Sequence, residues 1–168
     1  MLTGGPVSNE FKIDPKLDLV FERVTTIPVE KLWKGWTHPE TLMKWFCPRP
    51  WKVTDCRIDL RAGGEFFNVM EGPNGEKANN HGCYLEVVEN KKLVWTGMMT
   101  KGFRPAPTSP MGFHFVGTIL FNKTENGTSY KAIISHADEA GRKKHEAMGF
   151  QEGWGKAFDQ LTELMGGK

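Results

Sequence analysis

The feature that most restricts the fold lies at the end of the chain, where Phe150, Trp154, Phe158, Leu161 and Met165 recur at spacings of four, four, three and four residues. Side chains spaced this way share one face of an α-helix, so a long helix with one apolar side is expected between Glu139 and Met165. Burying each such side chain is worth ~1.5–3 kcal/mol. Gly149, Gly153 and Gly155 work against the helix, each at roughly 1 kcal/mol relative to alanine. Packing of the stripe must outweigh propensity, and the glycines either admit a close neighbouring backbone or mark a break near Gly149.

What covers the stripe is legible upstream. Leu17 to Ile27 is rich in β-branched and aromatic residues and reads as a strand. After Pro28, the apolar positions Val29, Leu32, Trp33 and Trp36 fall on one helical face, and Thr37 can cap a second short helix that turns Leu42, Met43, Trp45 and Phe46 inward. From Trp51 to about Asp138 the signals are strand and turn, with strands expected at 51–60, 65–70, 82–88, 93–100, 113–122 and 128–136. Turn residues separate them: Arg61 to Gly64, Gly72 to Gly75, Glu89 to Lys92 and Glu125 to Gly127. Consecutive strands with short links form an antiparallel meander, so the fold class is α+β: a curved antiparallel sheet around a long C-terminal helix, with two short helices after the first strand. Residues 1–16, polar and broken by Gly4, Gly5, Pro6 and Pro15, are expected to form a flexible tail ahead of a single domain at 17–168.

Charge removes one class of function. The formal charge of +2 arises from 22 basic and 20 acidic residues without a long basic run, so no nucleic-acid footprint is expected. No apolar run approaches the ~20 residues of a membrane span, and the start of the chain does not read as a signal peptide. A cytoplasmic protein without membrane insertion is expected, with Cys47, Cys56 and Cys83 as reduced structural thiols. Asn126-Gly127-Thr128 then reads as a hairpin turn rather than a glycosylation site.

The residues together resemble a known family. They are Ile27 to Trp33, Trp36-Thr37-His38-Pro39-Glu40, Lys44-Trp45-Phe46, Leu60 to Phe66, Leu93 to Thr96, Gly127-Thr128, Met148 to Trp154, and Leu161. In this order and spacing they are similar to the START-like (SRPBCC) superfamily, and within it to the C-terminal domain of the heat-shock protein 90 ATPase activator. The resemblance runs from about residue 17 to 165. It implies the helix-grip fold, also called birch-pollen-allergen-like, in which the sheet wraps the last helix and leaves a cavity. It also implies binding of lipids, sterols, polyketides or other apolar molecules, with some members acting as cyclases or hydrolases. The activator itself uses two domains, and one is expected here.

No catalytic motif stands out. The histidines, His38, His81, His114, His136 and His145, lack metal-ligand spacing, so neither a metal nor another cofactor is expected. His114 and His136 lie on neighbouring expected strands and could meet across the sheet, to bind a metal or act as acid and base. Asp55, Asp59 and Glu65 are spread over two strands. Strand alternation instead suggests a lining. Trp95, Met99, Phe113 and Phe115 would face the helix, as would Ile119 and Phe121, and Phe66, Asn68 and Met70 share a face on the neighbouring hairpin. With Trp154 and Phe158 from the helix, these residues are the expected wall of a ligand cavity. Methionines such as Met98, Met99, Met111 and Met148 would adapt its mouth to irregular ligands or simply fill the core. The segment 102–112, with Phe103, Pro107 and Met111, holds three prolines and two glycines; it is either a gate or a plain connector.

Three functions fit. The first is binding of a small hydrophobic molecule. The second is a stress-related partner-binding protein that docks on a chaperone through Trp51, Lys52 and the 102–112 loop. The third is a cyclase- or hydrolase-like enzyme using His114, His136 or Glu65.

Overall fold

The computed structural model describes residues 12–107, 109 and 111–166. Most of the expected N-terminal tail, residues 1–11, lies outside the described residues. The chain runs β1 (Asp18–Thr25), α1 (Val29–Thr37), α2 (Pro39–Leu42), β2 (Lys52–Ile58), β3 (Phe66–Glu71), β4 (Lys77–Asn80), β5 (Cys83–Val88) and β6 (Lys92–Thr96). It continues with the two-residue strands β7 (Met99–Thr100) and β8 (Arg104–Pro105), then β9 (Phe115–Thr124), β10 (Gly127–His136), α3 (Glu139–Ala147) and α4 (Phe150–Leu164).

Pairing is antiparallel throughout, in the orders β1-β10-β9-β6-β5 and β2-β3-β4. The two sheets are one curved surface. Glu65 bridges Cys83, and Phe66 N–H and Tyr84 N–H donate to the Gly82 and Gly64 carbonyls at 3.0 Å each. β4 and β5 thus behave as one bent strand that leaves β3 and joins β6.

Two strand expectations need correction. Lys77–Asn80 is a strand, although its polar composition carries no strand signal; the turn at Gly72 to Gly75 folds it back onto β3. The run 93–100 is broken after Thr96, and Met99–Thr100 turns away to pair with Arg104–Pro105. The two short helices after β1 stand where expected.

The terminal helical stretch is split. Gly149 has φ +87°, a left-handed conformation that glycine adopts without a Cβ clash, and it divides α3 from α4. Asp138 starts α3 by accepting a hydrogen bond from Gly141 N–H at 2.7 Å. α4 then lies in the trough of the sheet, with Phe158 packed on Tyr130 at 4.7 Å and on Phe21 at 5.9 Å between ring centroids.

Two contacts fix its depth. Leu161 is fully buried, and its Cδ1 occupies the space where a Cβ on Gly35 of α1 would stand. Gln160 donates to the Trp45 and Cys47 carbonyls at 3.0 and 2.8 Å and accepts from Arg49 N–H at 3.0 Å. One side chain of α4 therefore holds the segment between α2 and β2. Gly35→Ala is expected to lower stability by about 1–3 kcal/mol, because the buried Leu161 has nowhere to retreat. Urea denaturation reads this directly, and an unchanged midpoint would show that the two helices are free to separate.

Candidate functional site

Between α4 and the sheet lies a cavity of about 580 Å³, within the range of small-molecule sites. α4 contributes Phe150, Trp154 and Phe158, with the small residues Gly153 and Ala157 between them. The sheet contributes Phe66, Asn68, Met70, Trp95, Phe115 and Tyr130. Trp36, Trp45 and Phe46 close one end from the helical segment after β1. Pro107, Met111, Phe113 and Met148 surround the other side.

The rings brace one another. Trp36 lies 5.0 Å from Trp45 and 5.4 Å from Trp95 between centroids, and Phe66 stands 5.6 Å from Trp95. Their polar atoms are largely turned into the protein: Trp36 Nε1 donates to Tyr130 Oη at 3.2 Å and Trp45 Nε1 to the Gly35 carbonyl at 2.8 Å. Trp95 lies over its β9 partner Gly117, where a Cβ would come within 2.7 Å of the indole. Gly117 is therefore the residue that lets Trp95 lie flat as a wall.

Among the sequence-derived wall residues, Phe66, Asn68, Met70, Trp95, Phe113, Phe115, Trp154 and Phe158 surround the cavity, and so do Pro107 and Met111 of the 102–112 segment. Met99 and Phe103 do not. Met99 pairs with Pro105 in the small β7–β8 hairpin, because the break after Thr96 ends the alternation that would have pointed it inward. Phe103 is half exposed and packs over Gly63.

The expected acidic groups stand outside the cavity wall, Asp55 and Asp59 exposed and Glu65 partly buried. Glu65 accepts from Arg57 Nε at 2.9 Å, and that hydrogen bond holds its carboxyl below the usual carboxylate range. Asp55 and Asp59 pair with Arg57 and Arg61. Cys47 reaches the cavity, but burial pushes its thiol up to about 11, which leaves it a poor nucleophile at neutral pH.

The expected pairing of His114 with His136 is replaced by another. His114 lines the cavity, just ahead of β9, where it is out of register with His136, whose cross-strand partner is Phe115. His136 instead meets His145 of α3, with Nε2 to Nδ1 at 2.9 Å, while His136 Nδ1 lies 2.8 Å from the Leu17 carbonyl. Both rings are buried, and His145 lines the cavity. Burial, foremost, and the neighbouring His136 imidazole lower the His145 pKa to about 4. Sequence reasoning missed this residue because it sits among Arg142, Lys143, Lys144 and Glu146, in a run that reads as a solvated helix face.

The family model described as Activator of Hsp90 ATPase homolog 1-like protein matches residues 26–166. The chain belongs to this family. The Hsp90-activator-homologue-like assignment carries the START-like helix-grip architecture with it, as the sheet and α4 show. The crystal structure of a Nitrosomonas europaea protein is 47% identical, with 91% of this chain and 96% of that one covered and a TM-score of 0.86. A Mycobacterium smegmatis protein is 25% identical over 91% of this chain and 93% of its own, with a TM-score of 0.75. A Rhodobacter sphaeroides protein at 22% identity, covering 92% and 96%, shares the fold with a TM-score of 0.79. No match was found among curated proteins.

This geometry sets two measurable properties of the Hsp90-activator-homologue-like chain. Gly117→Val should force the Trp95 indole off the sheet and into the cavity. Tryptophan fluorescence would shift and the protein would lose roughly 1–3 kcal/mol of stability; an unaltered spectrum would mean that Trp95 does not rest there. The second concerns acid. His145 takes up its proton near pH 6.5 when unfolded and only near pH 4 when folded. The unfolded state therefore binds more protons between these values, and stability, complete above pH 6.5, should fall as pH drops through that window. His145→Gln should flatten this limb of a thermal-denaturation profile, and an equal slope in both proteins would remove His145 as its source.

Proposed function

We propose that this protein binds a small, mostly hydrophobic molecule in the cavity between the sheet and α4, with the segment 102–112 as its gate. The supporting observation is the cavity itself: about 580 Å³ walled mainly by braced aromatic side chains, with few polar groups to orient a ligand. Asn68 is one such group. It is buried, and its Oδ1 accepts from Asn80 Nδ2 at 2.9 Å, which leaves its own amide N–H groups for a ligand. Family membership supports the reading, since START-like domains are similar in holding apolar molecules. The three cysteines, free and buried, suit a reducing cytoplasm, and among the described residues no helix is long and apolar enough to cross a membrane.

Thermal shift against a library of lipids, sterols and polycyclic aromatics tests the proposal. At least one class is expected to raise Tm by several degrees, and Ala157→Phe, which fills the cavity from α4, is expected to abolish that rise. A library without a single stabilising compound would end the reading.

A second reading is a chaperone partner. It draws on the family description and on Met98 and Phe103, 44% and 50% exposed at the β7–β8 hairpin. It expects association with heat-shock protein 90, weakened by Phe103→Asp. No association at concentrations on the order of tens of micromolar would exclude it.

A further inference from the structure

The histidine pair gives the cavity a directional polar group. A backbone carbonyl can only accept a hydrogen bond, so the 2.8 Å contact with the Leu17 oxygen places the proton of neutral His136 on Nδ1. His136 Nε2 is then an acceptor, and the 2.9 Å contact with His145 Nδ1 requires His145 to donate through Nδ1. The last atom of the relay, His145 Nε2, is left with a lone pair. No described protein group donates to it, yet it is not sealed: among the described residues the one buried side-chain nitrogen or oxygen without partner or access is Tyr84 Oη. His145 is 7% exposed, and the open space it meets is the cavity it lines. Phe113, Phe115 and Phe150 hold its ring from three sides, at 5.0, 5.2 and 5.4 Å between centroids.

An acceptor with a fixed direction in an apolar enclosure discriminates strongly. A ligand that brings an O–H satisfies it, whereas one that brings only carbonyl or ether oxygens sets lone pair against lone pair. We propose that His145 Nε2 anchors the ligand of this cavity by accepting a hydrogen bond, and so selects apolar ring molecules that carry a hydroxyl group, phenols or alicyclic alcohols, over those that carry acceptors alone. The proposal rests on the container reading above and adds the chemical class of its occupant. Low basicity of His145, lowered by burial, keeps the lone pair available at neutral pH.

The test compares 9-phenanthrol with its methyl ether, the same ring system with and without the donor, by fluorescence titration against the full chain at pH 7.5. The phenol is expected to bind about tenfold more tightly, the equivalent of one hydrogen bond. In His145→Phe the ether is expected to bind as before and the phenol to lose its advantage to within roughly twofold. Long-range ¹H–¹⁵N NMR of the wild-type protein provides a readout without any variant: His145 Nε2 should show the signature of an unprotonated nitrogen. Equal affinity for phenol and ether, or a proton found on Nε2, would overturn the anchor while leaving the container intact. If neither compound binds and the apolar library also fails, the container reading falls and the anchor with it.

Discussion

α4 is wedged into the sheet at a depth that it cannot increase, and the cavity follows from that constraint. Toward its C-terminal end, Leu161 already occupies the place of a missing side chain on Gly35, so α1 and α4 are as close as their backbones allow. Gln160 ties the same part of the helix to three backbone groups of the 45–49 segment. At the other end the reversal at Gly149 and the packing of Phe150 on His145 settle where the helix begins. Between these supports the residues of α4 that line the cavity include Gly153 and Ala157, which are too short to reach across. The space persists because the supports hold the helix off the sheet.

The choice of wall material reinforces this. A lining of leucines and methionines alone could change rotamer and move in, since flexible side chains relax into cavities; here Met70, Met111 and Met148 are joined by rings that cannot. Trp36, Trp45, Trp95 and Phe66 have few torsions and press on one another, Trp36 on Trp45 and Phe66 on Trp95 edge to face and Trp36 on Trp95 tilted. Each ring is stopped by the next, and Trp36 and Trp45 are also pinned by indole hydrogen bonds. Gly117 has the complementary role. By omitting a side chain it lets Trp95 lie back against the sheet instead of projecting inward.

Much of the architecture is legible in the sequence because it depends on local periodicity. The helical stripe at Phe150, Trp154, Phe158 and Leu161, the paired short helices and most of the strand runs are each encoded within a dozen residues. The departures all arise from tertiary context. Lys77–Asn80 has no strand composition and is recruited by β3 through its turn. The strand that would carry Met99 keeps the expected alternation only to Thr96, after which the chain turns aside and phase carries no further information. Asn68, Trp95 and Phe158 were legible as inward-facing, yet whether inward residues meet or stand apart is a question of volume that no spacing answers. His145 is the sharpest case. Its segment looks solvated, and only the packing of α3 against the end of β10 reveals that one position in that charged run is interior.

That end of the molecule is also cross-linked by polar contacts, and the kind of contact decides its chemistry. The Leu17 carbonyl accepts from both the backbone N–H and the ring of His136, at 3.0 and 2.8 Å, and Arg142 of α3 donates to the adjacent Lys16 carbonyl at 3.0 Å. The segment before β1, the end of β10 and α3 therefore hold the two imidazoles from three directions. A carboxylate at the Leu17 position would favour an imidazolium by its charge and turn the cavity-facing nitrogen into a donor. A backbone carbonyl orients the ring without supplying that charge. The outcome is a histidine held in position as a neutral acceptor, with its polarity toward the cavity fixed by a main-chain atom that does not itself titrate.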